Sequence, residues 1–372
     1  MQSAKSYILT NLKNIPGWRS NRKIVIIECD DWGSIRMPSK VVYDNLVGRG
    51  LKVSGWFNRY DTLETAKDLE QLFETLFTVK DKNDKPAVVT AITNVANPDF
   101  DKIKASGFSE YHYEPFTETL KRYYPYANVF KLWREGITAG VFIPELHGRE
   151  HITVQLWMEK LREGNKDLLL AFDYGYVFLD IPGMTGPAKG FGTEFYFTSD
   201  RQKPFLIRSI LKGGAMFKDI FGFLPRVFVP GSGLFHPDFD VVIAESGIKF
   251  LYVNHSMPYP VNGGNLKYRY FIPGQRGPGG ITYYTRNCAF EPSDSNYKGI
   301  DLTLKQVEAA FRWHKPANIS THRVNFAGGI DPANRKRGLN ELKKLLKAIV
   351  QKWPDVEFMN SGDALEFLKN AN

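Results

Sequence analysis

The sequence predicts an α/β protein built around a mostly parallel β-sheet. Its strand segments are continuously apolar instead of alternating, which is typical of strands that are covered on both faces. Helical segments separate most of these strands, which indicates either an open sheet with helices on both sides or a barrel. In both architectures functional residues gather at the carboxyl edge of the strands, so polar residues at strand ends are the first candidates for a site.

Strands and helices follow each other along the chain. Segment 23–30, KIVIIECD, is predicted to be a buried strand that ends in acidic residues. A helix is predicted at 61–77, because its apolar residues recur on one face and Asp61 with Glu64 can form a capping box. Further strands are predicted at 87–95, 137–146, 167–174, 226–230, 248–254, 280–286, 318–321 and 356–360. Further helices are predicted at 151–163, 204–221, 237–246, 301–313 and 338–352.

Composition excludes several classes of protein. The chain has 372 residues, of which 43% are hydrophobic and 24% are charged, and this balance is that of a globular protein. Two cysteines exclude a disulfide scaffold and a cysteine-based zinc cluster. No apolar run is long enough to cross a bilayer, and the first residues lack the apolar core of a signal peptide, so we expect a cytoplasmic protein.

The chain is basic and aromatic. Its net charge of +9 favours anionic partners, and 14% of its residues are aromatic, which suits either a core or a surface on which sugars stack. The basic residues between 334 and 347 fall on one amphipathic helix, where we expect a solvated face. No base-reading motif accompanies them, so no nucleic-acid partner is expected.

Reactive side chains close four of the predicted strands. Adjacent carboxylates resist joint ionisation, and a divalent cation resolves this when one carboxylate binds the ion and the other acts as a base. Two histidines four positions apart on a turn can bind the same ion, and a site with one Asp and two His leaves positions open for water and substrate. The strand endings are Asp30-Asp31, the HGREH motif with His147 and His151, the Pro230–Gly233 turn, and His322.

The order of these motifs resembles that of the polysaccharide deacetylase family, which includes chitooligosaccharide and peptidoglycan deacetylases. Segment 205–253 is similar to the family in its Phe-Gly turn before Pro, its strand, its third motif and its Gly-Ile strand, and 356–365 resembles the family's closing elements. The resemblance implies a distorted (β/α) barrel of about seven strands. It also implies a single domain over residues 1–372, with long insertions at about 35–85 and 100–135.

The resemblance also implies a role for each motif residue. Asp30 would be the general base that deprotonates the attacking water, and His322 the general acid that protonates the leaving group. The backbone N–H of Ser232 would help to hold the oxyanion. The metal, expected to be Zn²⁺, would be held by Asp31, His147 and His151. The implied activity is removal of an N- or O-acyl group, such as acetyl, from a carbohydrate or glycan precursor, and the basic charge is compatible with an anionic one.

Two of the departures from the family pattern concern the charged partners of the base and the acid. Val229 stands where the family has an Arg that pairs with the base, and Val253, Asn254 and His255 stand where it has an Asp-x-x-Asp-Trp motif. Replacement partners are open at this point, and the candidates are Arg149, Arg323 and Glu28. A barrel that has lost catalysis and acts as a carbohydrate-binding module is therefore an alternative, as is a carbon–nitrogen hydrolase of small cyclic amides on the same barrel.

A third alternative comes from the HGREH segment, which also fits the H-x-x-E-H motif of inverted zinc proteases. That interpretation requires a helix through 143–153, whereas Pro144 and Gly148 oppose one. It also leaves the acidic pair and His322 without a role.

Overall fold

The computed structural model describes residues 4–53 and 55–371. Among these residues the strands are β1 (Ile24–Trp32), β2 (Val89–Asn94), β3 (Ala96–Pro98), β4 (Tyr113–Pro115), β5 (Phe142–Gly148), β6 (Val227–Phe228), β7 (Phe250–Tyr252), β8 (Ser256–Pro260), β9 (Leu266–Tyr270), β10 (Thr282–Tyr284), β11 (Cys288–Ala289), β12 (Ala317–His322) and β13 (Glu357–Phe358).

The helices lie between these strands or beside them. They are α1 (Ala4–Leu12), α2 (Lys40–Gly48), α3 (Trp56–Tyr60), α4 (Ala66–Leu76), α5 (Phe100–Ala105), α6 (Phe116–Tyr123), α7 (Val129–Thr138), α8 (Val154–Arg162), α9 (Lys166–Asp173), α10 (Lys203–Phe221), α11 (Asp240–Glu245), α12 (Asp301–Arg312), α13 (Pro332–Lys352) and α14 (Ser361–Ala371). In the described part of the chain, none of them combines the length and the apolar character that a membrane span requires.

Within the described residues nine strands form one curled sheet, in the order β10-β7-β6-β5-β2-β1-β12-β11, with β13 also pairing with β1. Every pairing in this sheet is parallel. The predicted (β/α) barrel is thereby confirmed, and it exceeds seven strands because short strands such as β11 and β13 also pair. No pairing between β10 and β11 is found in the described chain, and residues 285–287 connect these two edge strands.

The central strand β1 shows why the sheet strands are continuously apolar. All nine of its residues are buried. Val25 and Ile27 pack into the large cluster that includes residues of α4, α7 and α13, whereas Ile24 and Ile26 pack against Ala364 of α14. Successive side chains of a strand point to opposite faces, so both faces of β1 must be apolar. This strand therefore fixes the position of the acidic residues at its end.

One predicted strand is wrong. Segment 167–174 lies in helix α9 and its C-terminal cap, although its apolar residues also fit a buried strand. Asn165 caps the helix by accepting a hydrogen bond from the backbone N–H of Leu168 at 3.0 Å. The buried residues Leu168, Ala171 and Phe172 are spaced three and four apart, which is the helical period. The N-cap and the helical spacing therefore favour a helix, although the local apolar run also fits a strand.

The predicted capping box at Asp61 and Glu64 is also wrong. Helix α4 begins later, and its capping box is formed by Thr65 and Asp68. Asp61 and Glu64 instead accept hydrogen bonds from the buried guanidinium of Arg323, at 2.8 to 3.1 Å. Their carboxylates thus belong to a buried ion-pair cluster beside the end of β12.

Two further expectations concern the surface and the domain organisation. The basic run at the start of α13 is only partly a solvated face, because Arg335 is buried and pairs with Asp68 at 2.7 Å. The predicted insertions at about 35–85 and 100–135 contain α2 to α4 and α5 to α6, respectively. The organisation of the chain as one domain stays a prediction.

Candidate metal centre

Three buried side chains meet at the carboxyl ends of β1 and β5. Asp31 lies near the end of β1, His147 near the end of β5, and His151 in the loop that leads to α8. One ligand atom of each lies within 4.8 Å of the others. The Nε2 atoms of His147 and His151 are 3.4 Å and 3.8 Å from Oδ1 of Asp31. The three residues that the sequence predicted as metal ligands therefore lie together.

A distortion of β1 directs both adjacent carboxylates into one cavity. Neighbouring strand residues ordinarily face opposite sides, yet Asp30 and Asp31 line the same cavity. The register between β1 and β2 shifts between Cys29 and Trp32, and Asp31 has a φ of 74°, which is rare for a residue with a side chain. Such strain persists only where the surroundings hold it, and it is common at functional sites.

The protonation of the three side chains suits metal binding. The Nδ1–H of His147 donates to the carbonyl oxygen of Val229 at 2.6 Å, which leaves its Nε2 lone pair directed at Asp31. Burial lowers the pKa of His151 to about 4, so its imidazole is neutral at neutral pH. Burial opposes the charge of Asp31, but its contact with the His147 imidazole and the positive charge of the nearby His322 hold its pKa well below the ordinary value.

The space in this cluster also fits an ion. A Cβ atom added at Gly231 would lie 3.0 Å from Nε2 of His151, so glycine leaves the face of that nitrogen open. Two imidazole nitrogens and one carboxylate oxygen form a donor set typical of catalytic zinc. The cluster therefore fits a divalent ion.

Asp30 has its own cationic partner, Arg286. Two N–H groups of Arg286 donate to the two oxygens of Asp30, at 2.6 and 2.7 Å. This bidentate geometry is the strong form of an ion pair. Burial alone would raise the pKa of Asp30, but the charge and hydrogen bonds of Arg286 lower it below the ordinary value. Asp30 is therefore an ionised carboxylate at neutral pH.

Other buried residues fix the orientation of Arg286. It lies in the connection between the edge strands β10 and β11, and its Nε donates to the fully buried Glu28 of β1. The second oxygen of Glu28 accepts from the hydroxyl of Ser361, the first residue of α14, at 2.6 Å. The guanidinium also lies 4.6 Å from the ring centroid of Tyr252. These contacts orient Arg286 towards Asp30.

His322, at the end of β12, has an anionic partner. Its Nδ1 lies 2.6 Å from Oε1 of Glu291, and Nδ2 of Asn325 donates to the other oxygen of Glu291 at 2.6 Å. Burial alone would lower the pKa of His322, but Glu291 and the more distant Asp30 raise it to about 9. The Nε2 of His322 lies 3.8 Å from Asp30. His322 is therefore protonated at neutral pH.

Neither Arg286 nor Glu291 is among the partners predicted from the sequence. None of the three candidates takes the place of the absent Arg: Arg149 pairs with Glu150, Arg323 belongs to the Asp61 cluster, and Glu28 is a partner of Arg286. Arg286 ends a predicted strand and so carried a usable signal. Glu291 follows no recognisable pattern, and only the fold brings it to His322.

The inverted zinc-protease interpretation fails on geometry. His147 lies on a β-strand and His151 in a loop, so the required helix through 143–153 is absent from this described segment. Glu150 is buried and bound by two N–H groups of Arg149. This carboxylate is unavailable as a catalytic base.

A cavity of about 600 Å³ opens in front of the cluster. Its walls come from the first predicted insertion, from residues between 178 and 193, and from the turn that contains Ser232. Among the described residues, none between 100 and 135 lines it. Ser232 has a φ of 59° and its hydroxyl donates to the carbonyl of Gly192 at 2.9 Å. All six residues predicted for the site line this cavity: Asp30, Asp31, His147, His151, Ser232 and His322.

Fold and site together define a (β/α)-barrel protein with a candidate metal centre. A structure from Parabacteroides distasonis, provisionally assigned as a glycoside hydrolase/deacetylase, is similar with a TM-score of 0.51 at 10% identity, covering 95% of this chain and 73% of that one. This likeness supports the fold. No protein-family model and no curated protein sequence matches the chain.

Two more distant similarities complete the comparison. The 4-alpha-glucanotransferase of Thermococcus litoralis has a TM-score of 0.48 at 12% identity, covering 93% of this chain, and this chain spans 40% of its length. A peptidoglycan deacetylase from Bacillus subtilis has a TM-score of 0.39 at 8% identity, covering 94% of this chain and 93% of that one.

Proposed function

We propose that this protein is a metal-dependent hydrolase that removes an N- or O-acyl group from a carbohydrate or glycan precursor. One observation carries the proposal: Asp30 and His322 face the same ligand cluster, and each has its own charged partner. Arg286 lowers the pKa of Asp30, and Glu291 raises the pKa of His322. One group is thereby an ionised base and the other a protonated acid at the same pH. Two titratable groups whose environments move their pKa values apart are typical of acid–base catalysis.

The proposed roles follow from these charges. Asp31, His147 and His151 would hold a divalent ion, for which we propose Zn²⁺. Such an ion, when bound, polarises an acyl carbonyl and increases the acidity of water. Asp30 accepts the proton of the attacking water, while Arg286 keeps this carboxylate oriented.

The other half of the reaction needs a proton donor and a site for negative charge. His322 donates its Nε2 proton to the departing nitrogen or oxygen, and Glu291 stabilises the charged imidazolium before this transfer. The proposed donor to the oxyanion is the backbone N–H of Ser232, whose left-handed backbone and fixed hydroxyl make the turn rigid.

The contacts of Arg286 and Glu291 bear on the non-catalytic alternative. A carbohydrate-binding barrel was an alternative because the family's Arg and Asp partners are missing from their motifs. Arg286 and Glu291 offer the same charges from other positions, which favours hydrolysis. A cyclic-amide hydrolase would use the same residues, so the assay must include both substrate classes.

The test is acetate release by zinc-loaded protein from N-acetylated and O-acetylated sugars, with ring opening of a cyclic amide measured in parallel. Asp30→Asn and His322→Ala should keep bound zinc and lose about 100-fold or more of kcat. Asp44→Asn, an exposed change on α2, is the matched control and should behave as wild type. Unchanged acetate release by Asp30→Asn would refute the base assignment, and ring opening without acetate release would favour the cyclic-amide alternative.

A further inference from the structure

The walls of the cavity carry charged groups in addition to those of the proposed chemistry. Lys189 pairs with Asp180 at 3.2 Å, and Arg286 is neutralised by Asp30 and Glu28. The cavity wall contains three carboxylates and four cationic side chains, namely Asp30, Asp31, Asp180, Arg36, Lys189, Arg286 and the protonated His322, which pairs with Glu291. A bound divalent ion therefore makes the cavity positive, and one basic group remains without an acidic partner.

That group is Arg36. Within residues 4–53 and 55–371, no carboxylate forms an ion pair with its guanidinium, which donates from Nε to the side-chain oxygen of Asn58 at 3.0 Å. Its Cζ lies 4.2 Å from the ring centroid of Phe178 and 5.1 Å from that of Phe57. Both rings lie against the guanidinium and contribute no hydrogen-bond acceptor in its plane. Its remaining N–H groups are thus left for a ligand.

The backbone around Arg36 is fixed, so this group is held in place before any ligand arrives. The N–H of Ile35 donates to Asn97 at 2.8 Å, and the N–H of Met37 donates to the carbonyl of Asp61 at 3.1 Å. Gly192 lies beside Phe178 and the guanidinium, and a Cβ added there would make only ordinary contacts, 3.6 Å with Phe178 and 4.0 Å with Nη2 of Arg36. Preorganised donors lose little entropy on binding.

We propose that Arg36 is a specificity residue that binds an anionic substituent, a carboxylate or a phosphate, on the sugar. This inference rests on the proposed function, because it names the substrate class of the same site. A planar guanidinium that is already oriented binds such oxyanions through two parallel N–H groups. The hydrophobic rings beside it exclude water from one side of each contact.

The experiment compares three forms of one sugar on zinc-loaded protein: N-acetylglucosamine, its phosphate ester, and N-acetylmuramic acid, which adds a carboxylate. Dissociation constants are measured by calorimetry, or KM where a sugar is turned over. We expect at least one anionic form to bind about 10- to 100-fold more tightly than the neutral form, as for hydrogen bonds to charged groups. The form with the larger ratio identifies the anion.

Arg36→Met tests the residue itself, because methionine keeps the length and the packing on the rings but not the charge. This variant should bind the anionic sugar at most about twofold more tightly than the neutral sugar. The metal attracts the anion equally in the variant and in wild type, so its contribution cancels when the two proteins are compared. Arg134→Met is the control, since Arg134 is exposed, lies 5.0 Å from the ring of Phe130 and is outside the cavity. This variant should keep the wild-type ratio.

Two results would overturn the inference: equal affinity of wild type for all three sugars, or an Arg36→Met ratio equal to that of wild type. Failure of the proposed function looks different. In that case no sugar releases acetate, while the preference measured by calorimetry and its loss in Arg36→Met persist.

Discussion

Replacing Glu291 with Gln tests how His322 acquires its proton. The substitution removes the negative charge 2.6 Å from Nδ1 of the imidazole and preserves the size of the side chain. Glu291 then no longer offsets the effect of burial, so the pKa of His322 falls from about 9 towards its ordinary value of 6.5. A general acid must be protonated, and activity is therefore lost as pH rises through this pKa.

The size of the expected loss of activity follows from the pKa of His322 in the wild type and in the variant. At pH 8 the protonated fraction of His322 is about 0.9 with a pKa of about 9 and about 0.03 with a pKa of 6.5, which is roughly a 30-fold difference. At pH 6 both proteins are mostly protonated, and their rates should agree within about twofold. The assay is kcat/KM for acetate release from pH 5 to pH 10, with the exposed change Glu159→Gln as control.

Stability supplies a second readout of the same pair. Because the folded pKa of His322 is raised, its contribution is complete below about pH 6.5 and is lost as pH rises through about 9. The melting temperature of wild type should therefore fall across this window relative to that of Glu291→Gln. Coinciding pH–rate profiles for the variant and wild type would refute the proposed role of Glu291.

Three further substitutions test other parts of the site. Arg286→Lys loses the bidentate contact, so the pKa of Asp30 rises and the acid limb of the kcat/KM profile moves to higher pH. Gly231→Ala places a methyl group 3.0 Å from Nε2 of His151 and should weaken zinc binding about 10-fold or more. Arg323→Met leaves buried carboxylates unpaired and should reduce the free energy of unfolding by about 3–5 kcal/mol, measured by urea denaturation.

Each of these predictions has an outcome that contradicts it. An unmoved acid limb in Arg286→Lys would show that another group sets the pKa of Asp30. Gly214→Ala is the control for Gly231→Ala, because its added Cβ would make only an ordinary contact of 3.7 Å with Ser246. Equal zinc affinity in both glycine variants would contradict an open face at the candidate centre. A loss below about 1 kcal/mol in Arg323→Met would contradict a tightly coupled buried cluster.

The parallel sheet was predictable because burial on both faces imposes a continuous apolar run, as in β1. The candidate ligands were predictable for a related reason, since parallel strands bring their carboxyl ends to one edge, and Asp31 and His147 each lie near such an end. Segment 167–174 was not predictable as a helix, because a short apolar run fits a buried strand and a buried helix equally well.

The charge partners were not predictable in the same way. Arg286 and Asp30 are 256 positions apart, and their contact arises from the connection between two edge strands that no local pattern specifies. Glu291 reaches His322 from a loop, and the local sequence at Asp61 predicts a helix cap although Asp61 pairs with the distant Arg323. Ion pairs of this kind depend on the three-dimensional path of the chain.

The central claim is that Asp31, His147 and His151 hold one divalent ion. Its direct test is a zinc titration of chelator-treated protein by calorimetry, with metal content checked by mass spectrometry. Wild type and Asp30→Asn should bind one ion per chain, and Asp31→Ala or His147→Ala should lose at least about 100-fold in affinity. Failure of wild type to bind zinc or another divalent ion, or equal binding by Asp31→Ala, would contradict the claim.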